Sequence, residues 1–415
     1  MTGLSSRLAG SLRGRLAEVR ASPAWSPAAL RGAWRARGGG HPADPVHLPH
    51  LHAAIGWLGR AQDAAGGGGF ARGYSLTWNP YFRAAGWQAA YPETTGYIIP
   101  TFLSAARRLE RPELARRALA AARWEIAVQL PDGAVQGGVI GQPPSPAVFN
   151  TGQVVLGWLA AWEETREAEF ADAARRAGRF LAACEHGGCF ANGNSRFARG
   201  DTTAYNARAA WGLAEAGALL GEPAFTDAAA RVLRAVAATQ DADGWFPDCC
   251  LYDPGYPLLH TLAYTVRGLL EGGRVLGDDL LVRQAALTAR RLAERMRDDG
   301  WLSGKYGAGW TEGASWSCVT AQAQMATNWL RLHEITGETE WIAPAGRSLG
   351  FVKRTQDRAS AADGVRGGIP GSWPPGEIYG RYEMLNWATK FFADSLLRHD
   401  AALAPAVHPP VSRLA

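Results

Sequence analysis

Six times along this chain, one pattern returns. A glutamine or another long polar residue is followed by an Asp- and Gly-rich turn and then an aromatic residue or further glycines. The copies run from Gln62 to Phe70, Gln129 to Gly138, Glu185 to Phe190, Gln240 to Phe246, Arg297 to Trp301 and Gln356 to Gly368, with their first residues 55 to 67 positions apart. A period of this length is one supersecondary unit that cannot bury its own apolar face, so successive copies must stack. Before the five markers from Gln129 onward lie segments with Ala, Leu and Val at i, i+3 and i+4 and Arg or Glu on the other face, over 112–129, 168–183, 224–240, 279–297 and 340–356. After each Gly-rich loop comes a far less charged segment, over 94–109, 150–162, 204–220, 258–276, 319–335 and 385–397. Half-charged helices alternating with mostly apolar ones suit an outer and an inner ring. The expectation is an all-α (α/α)6 toroid over residues 47–400.

Composition removes other classes. With 47 % hydrophobic and 20 % charged residues the chain can fill a core, so it is not a disordered polymer. No apolar run approaches the roughly 20 residues of a membrane span. Five cysteines at irregular spacing do not make a disulfide framework. The net charge of +5 comes from the N-terminus, where residues 1–43 hold seven arginines against Glu18. A nucleic-acid-binding body does not follow from it. Residues 1–46 read as a basic, flexible tail, of which 4–20 can form an amphipathic helix in weak contact with an anionic membrane surface. Residues 401–415 read as a Pro/Ala-rich tail. With no secretory h-region, the expected location is cytoplasmic.

Ring closure locates a site. All the long loops lead into inner-helix N-termini, so six sets of unpaired N–H groups converge on one mouth suited to polar or anionic ligands. The first turns there are unusually polar. Glu93, Asp201, Glu383, His260 and Tyr264 are the candidate catalytic residues. Asn150, Tyr205, Asn206, Arg208, Trp245, Asp248, Trp316, Gln322, Arg381, Tyr382 and Asn386 are the candidate substrate-binding residues. Helix capping is an equal reading for Asn150, Thr94 and Thr202. Flat rings beside carboxylates and amides suit the apolar face and hydroxyls of a pyranose, and Trp packing of loops onto the ring is the competing use. The expected partner is thus a polysaccharide or oligosaccharide, an acidic one included. No cofactor is expected.

The strings AYPETTGYIIPTFL (90–103), FNTGQVVLGWL (149–159), LLHTLAYTVRGLLE (258–271), WSCVTAQAQMATNWLRLHEITG (316–337) and GGIPGSWP with YGRYEMLNWATKFFADSL (367–396) resemble the VpsJ-type polysaccharide-biosynthesis family. That resemblance covers roughly 47–400 and implies a six-hairpin, glycosidase-like toroid in an exopolysaccharide context, without a catalytic residue to transfer. The Gln-Asp-Gly-Trp units also resemble the turns of terpene cyclases, but an Asp-x-Asp-Asp motif is missing. Lanthionine cyclases are toroids with a Cys/Cys/His zinc site. Cys249, Cys250, Cys318 and His260 invite that comparison, but the Cys-His-Gly string is absent, and no metal is expected.

Glycoside hydrolysis needs two carboxylates, one protonated and one ionised. Glu93 and Glu383 open neighbouring inner helices once the ring closes, while Asp201 and Asp248 form a second cluster. The expectation is Glu383 or Glu93 as acid and Asp201 as base. A uronate lyase or C5-epimerase is the alternative, with Asn206 and Arg208 neutralising a carboxylate and His260 and Tyr264, four apart on one helix face, moving the proton. In either case Arg208 and Arg381 are candidates to pair with an acidic substituent. A glycan-binding subunit without catalysis and an isoprenoid cyclase complete the alternatives.

Overall fold

A computed structural model describes residues 22–190, 203–251, 253–404 and 408–415. Among these residues thirteen α-helices form: α1 (Pro27–Arg37), α2 (Leu48–Ala64), α3 (Pro92–Arg108), α4 (Pro112–Val128), α5 (Val148–Thr165), α6 (Ala168–Cys184), α7 (Ala207–Leu220), α8 (Pro223–Ala238), α9 (Leu259–Leu276), α10 (Asp279–Arg295), α11 (Val319–Thr336), α12 (Ile342–Thr355) and α13 (Asn386–Leu403). The odd-numbered helices from α3 to α13 form the inner ring. Each packs on the next, and α13 packs back on α3, so the ring is closed. Five hairpins pair an inner helix with the outer helix that follows it. The sixth is made from opposite ends of the chain, α13 against α2.

The two helix types follow from their patterns. On α6 the residues Phe170, Ala174, Ala177 and Leu181 are buried at i, i+4, i+7 and i+11, which is one face. On α5 every residue from Val148 to Ala161 is buried, and on α11 every residue from Val319 to Leu332. Inner helices approach one another through glycines. A Cβ on Gly157 would lie 2.3 Å from the Gly96 carbonyl oxygen, and one on Gly212 would lie 2.3 Å from that of Gly152. The inner helices α7, α9 and α11 end on left-handed Gly221, Gly277 and Gly337, where a side chain would be strained.

The repeat markers have a structural use. Gln62 Nε2 donates to Gly68 O and to Arg117 O on the next outer helix, at 3.1 and 3.0 Å. Gln129 does the same to Gly133 O and Ala173 O, and Gln240 to Gly244 O and Gln284 O. Each of these three glutamines therefore closes its own turn and staples neighbouring outer helices together. Glu185 keeps the position with the opposite polarity, accepting from Gly188 N at 2.8 Å and from Arg231 Nε at 2.9 Å.

The loops on the mouth side carry short strands that helical periodicity does not reveal: β1 (Gly73–Asn79), β2 (Ala84–Trp87), β3 (Glu185–His186), β4 (Cys189–Phe190), β5 (Ser317–Cys318), β6 (Ser372–Trp373) and β7 (Glu383–Leu385). The antiparallel sheet β2-β1-β7 joins the first long loop to the last, with Ser75 opposite Glu383.

Both expected tails contain ordered parts packed on the body. Within 1–46, α1 buries Ala29, the backbone of His41 donates to Arg354 O at 2.7 Å, and Lys353 Nζ donates to the carbonyls of Asp44 and Pro45. The proposed membrane-contacting stretch 4–20 lies outside the described residues. Within 401–415, Leu414 and Ala415 are buried, and Arg267 Nη2 on α9 donates to Ala415 O at 2.7 Å. These segments contact the helix ring, which the tail reading did not anticipate, because their composition carries no periodic apolar signal. No helix among the described residues is long and apolar enough to cross a membrane.

Candidate functional site

At the mouth of the ring lies a cavity of about 540 Å³. Its polar border includes Arg72, Tyr91, Glu93, His260, Tyr264 and Glu383. Of the binding candidates, Asn150, Tyr205 and Arg381 also border it. Asp201 lies outside the described residues.

The two carboxylates sit in opposite surroundings. Glu93, in the first turn of α3, is buried and accepts a hydrogen bond from the Tyr91 hydroxyl. Burial pushes its carboxyl up to about 7, against the opposing pull of the Tyr91 hydrogen bond and of Arg208 and Arg72. Glu383, on β7, is equally buried but saturated with donors. Its Oε1 accepts from Ser75 Oγ at 2.9 Å, Asn79 Nδ2 at 2.7 Å and Gln88 Nε2 at 2.6 Å, and its Oε2 from Arg72 Nη1 at 3.0 Å. Burial would raise this carboxyl as well, but Arg72 and the other donors outweigh it and hold Glu383 below the usual carboxylate range.

His260, on α9, has Nδ1 at 2.7 Å from Gln324 Oε1. An amide oxygen only accepts, so Nδ1 carries the proton and Nε2 keeps its lone pair. Burial lowers the imidazole to about 4, with Gln324 opposing, so the ring is neutral. Tyr264 and Tyr379 lie 4.4 and 5.2 Å away, ring centre to ring centre.

Eight binding candidates do not border the cavity. Arg208 is buried away from it, with Nε on Gln153 Oε1 at 2.7 Å and the rings of Tyr264, Trp211 and Phe391 5.1 to 5.5 Å from its guanidinium. Asn206 turns back to Thr203 Oγ1 at 2.7 Å. Asn386 ties Ala71 O and Thr94 Oγ1, and Gln322 is spent on Ser317 and Ser348. Trp245 and Trp316 serve the loops, Trp245 by donating to Tyr306 O and Trp316 by covering Gly304. Asp248 and Tyr382 take left-handed backbone conformations at φ 52° and 54° and stand outside the cavity border. These first turns are polar for a structural reason. Irregular loops leave carbonyls that the inner helices must satisfy.

The cavity also takes residues that helical reasoning passes over, namely Arg72, Asn79 and Tyr379. A signal for the first two was present, since Tyr74, Leu76 and Trp78 alternate with Ser75, Thr77 and Asn79 at the period of a strand.

Neither a protein-family model nor a curated protein matches the chain. Its likeness is to solved structures. An unsaturated glucuronyl hydrolase specific for heparin superposes with a TM-score of 0.67 at 15 % identity, covering 86 % of this chain and 97 % of its own. A glycosaminoglycan-degrading unsaturated glucuronyl hydrolase from a Bacillus species gives 0.65 at 13 %, covering 87 % and 98 %. A cellobiose 2-epimerase from Bacillus thermoamylovorans gives 0.62 at 12 %, covering 82 % and 95 %. The chain has the fold of the six-hairpin, glycosidase-like α/α toroids. At these identities the likeness extends to the fold alone, and within this toroid the cavity sits where the inner-helix N-termini meet.

Proposed function

We propose that this toroid is a carbohydrate-active enzyme, a glycoside hydrolase in which Glu93 is the proton donor. The observation that carries the reading is the opposite tuning of two carboxylates on one cavity, Glu93 raised to about 7 and Glu383 held low. Divergent tuning of paired carboxyls separates acid from anion. Glu93 protonates the departing glycosidic oxygen as the C–O bond breaks. Water adds at the anomeric carbon and surrenders its proton to a base. Glu383, bound by four donors, is too weak a base for that step and instead offers fixed negative charge to the cationic sugar ring of the transition state. The base is assigned to Asp201, four residues before Tyr205 on the cavity border. An exopolysaccharide setting, as the VpsJ-type resemblance implies, accords with this reading.

The test incubates the protein with neutral and uronate-rich oligosaccharides while reducing ends and ultraviolet absorbance are followed together. Reducing ends without new absorbance are expected, and their loss in Glu93→Gln. New absorbance in step with reducing ends would replace hydrolysis by elimination.

One observation favours a second reading. The unprotonated Nε2 of neutral His260, beside Tyr264 and Tyr379, is equipped to remove a proton from a sugar carbon, as an epimerase or lyase requires. Solvent deuterium entering the glycan without any change in reducing ends would select it.

A further inference from the structure

Arg72 enters β1 from the first Gly-rich loop and borders the cavity with 14 % of its side chain exposed. Both of its side-chain hydrogen bonds leave from one nitrogen, Nη1, to Gln88 Oε1 at 2.8 Å and Glu383 Oε2 at 3.0 Å. Among the described residues no protein acceptor meets Nε or Nη2. The guanidinium lies against two rings, 4.2 Å from the centre of Phe82 and 4.9 Å from that of Trp387. One part of the planar fork is therefore anchored, by a carboxylate that is itself fixed by Ser75, Asn79 and Gln88, while N–H donors remain unspent beside the cavity. Two parallel donors on a rigid guanidinium match the two oxygens of a carboxylate.

The charges around the cavity agree. Among its described residues Arg72 and Arg381 are cationic, and Glu383 is the fully ionised anion. Glu93 is largely neutral below about pH 7. The remaining polar groups are chiefly tyrosines, amides and a neutral imidazole. A neutral sugar would leave the unspent guanidinium donors to hydroxyls alone, and a carboxylate would satisfy them as a charged pair.

We propose that Arg72 determines specificity, receiving through Nε and Nη2 the carboxylate of an acidic sugar, so that the ligand of this cavity is a uronate-containing glycan. The sugar part of this statement rests on the carbohydrate reading above, whereas the carboxylate part rests on the geometry of Arg72. Arg208, buried beneath rings and bound to Gln153, is not available for that role.

Calorimetric titration tests it with methyl glucuronide, methyl glucoside and glucose 6-sulfate on the wild type, Arg72→Lys and Glu93→Gln. The glucuronide is expected to bind roughly tenfold or more tighter than the glucoside to the wild type and to Glu93→Gln. Arg72→Lys keeps a cation for Glu383 but presents no planar second edge. It is expected to lose most of the preference while binding the glucoside as before, with a melting temperature near that of the wild type. Equal affinities in the wild type, a preference for the sulfate, a preference that survives in Arg72→Lys, or no binding of any of the three would each overturn the proposal. If Arg72→Lys does not fold, Phe82→Leu, which removes the ring bracing the guanidinium, must weaken glucuronide and not glucoside, and equal loss of both would overturn it. Turnover is not needed for any of these readings. Selective glucuronide binding with no release of reducing ends would sink the hydrolase assignment and leave this one standing.

Discussion

Glu93, in the first turn of α3, and Glu383, on β7 just ahead of α13, border the same cavity, and their carboxyls are shifted in opposite directions. Glu93 has one hydrogen-bond donor, the Tyr91 hydroxyl, and its burial prevails. Glu383 has four donors, one of them a guanidinium, and they prevail over burial. Similar burial with different partners yields an acid in one case and an anion in the other.

For Glu93 the consequence is visible with and without substrate. Glu93→Gln is expected to lower hydrolysis by about 10²- to 10⁴-fold, and wild-type kcat/KM to fall as pH rises through about 7. The folded-state pKa lies above the unfolded one, so this carboxyl's contribution to stability is full below about 4.5 and is lost as pH rises through about 7. The melting temperature of Glu93→Gln should therefore gain on the wild type between about pH 5 and pH 8. A constant difference would contradict the raised pKa.

Glu383 behaves in the reverse sense. Its folded-state pKa is depressed, so its contribution is complete above the ordinary carboxylate range and fades only as pH falls below it. Glu383→Gln leaves Arg72 without its counter-ion at a buried site and should cost about 3 kcal/mol at neutral pH, measured by denaturant unfolding. Between about pH 5 and 8 that loss should stay level.

His260 is expected to remain neutral down to about pH 4, with the proton on Nδ1. Nitrogen chemical shifts of the labelled imidazole report both the tautomer and its titration. A midpoint near 6.5 would show that Gln324 and burial do not govern this ring.

Inner-ring closure depends on backbone approach at Gly157, whose Cβ in an alanine variant would meet the Gly96 carbonyl oxygen at 2.3 Å. Gly157→Ala should cost about 1 to 3 kcal/mol by forcing α3 and α5 apart. Gly59→Ala on the outer helix α2, where nothing lies within 4 Å, should cost almost nothing. Urea midpoints of the two variants distinguish local crowding from a general effect of alanine.

The sequence by itself determined eleven of the twelve helices of the double ring, their order and the end of the ring at which the cavity lies. Apolar residues at helical spacing record which face is buried, and the markers Gln62, Gln129, Gln240 and Gln356 recur because each staples one turn to a neighbouring helix backbone. Glu93, His260 and Tyr264 could be read as cavity residues because they lie on inner helices at the mouth. Tertiary structure alone decided what the polar first turns do. Asn386, Gln322 and Asn206 face backbone or neighbouring side chains, while Asn150 both borders the cavity and donates to Gln136 O. It also decided the site's electrostatics. Arg72 and Glu383 stand 311 residues apart in sequence and meet only because strands from the first and last loops pair across the closure of the ring. The physical reason is one of range: burial patterns are local and periodic, whereas the charge state of a carboxyl depends on donors that only the closed ring brings within 3 Å.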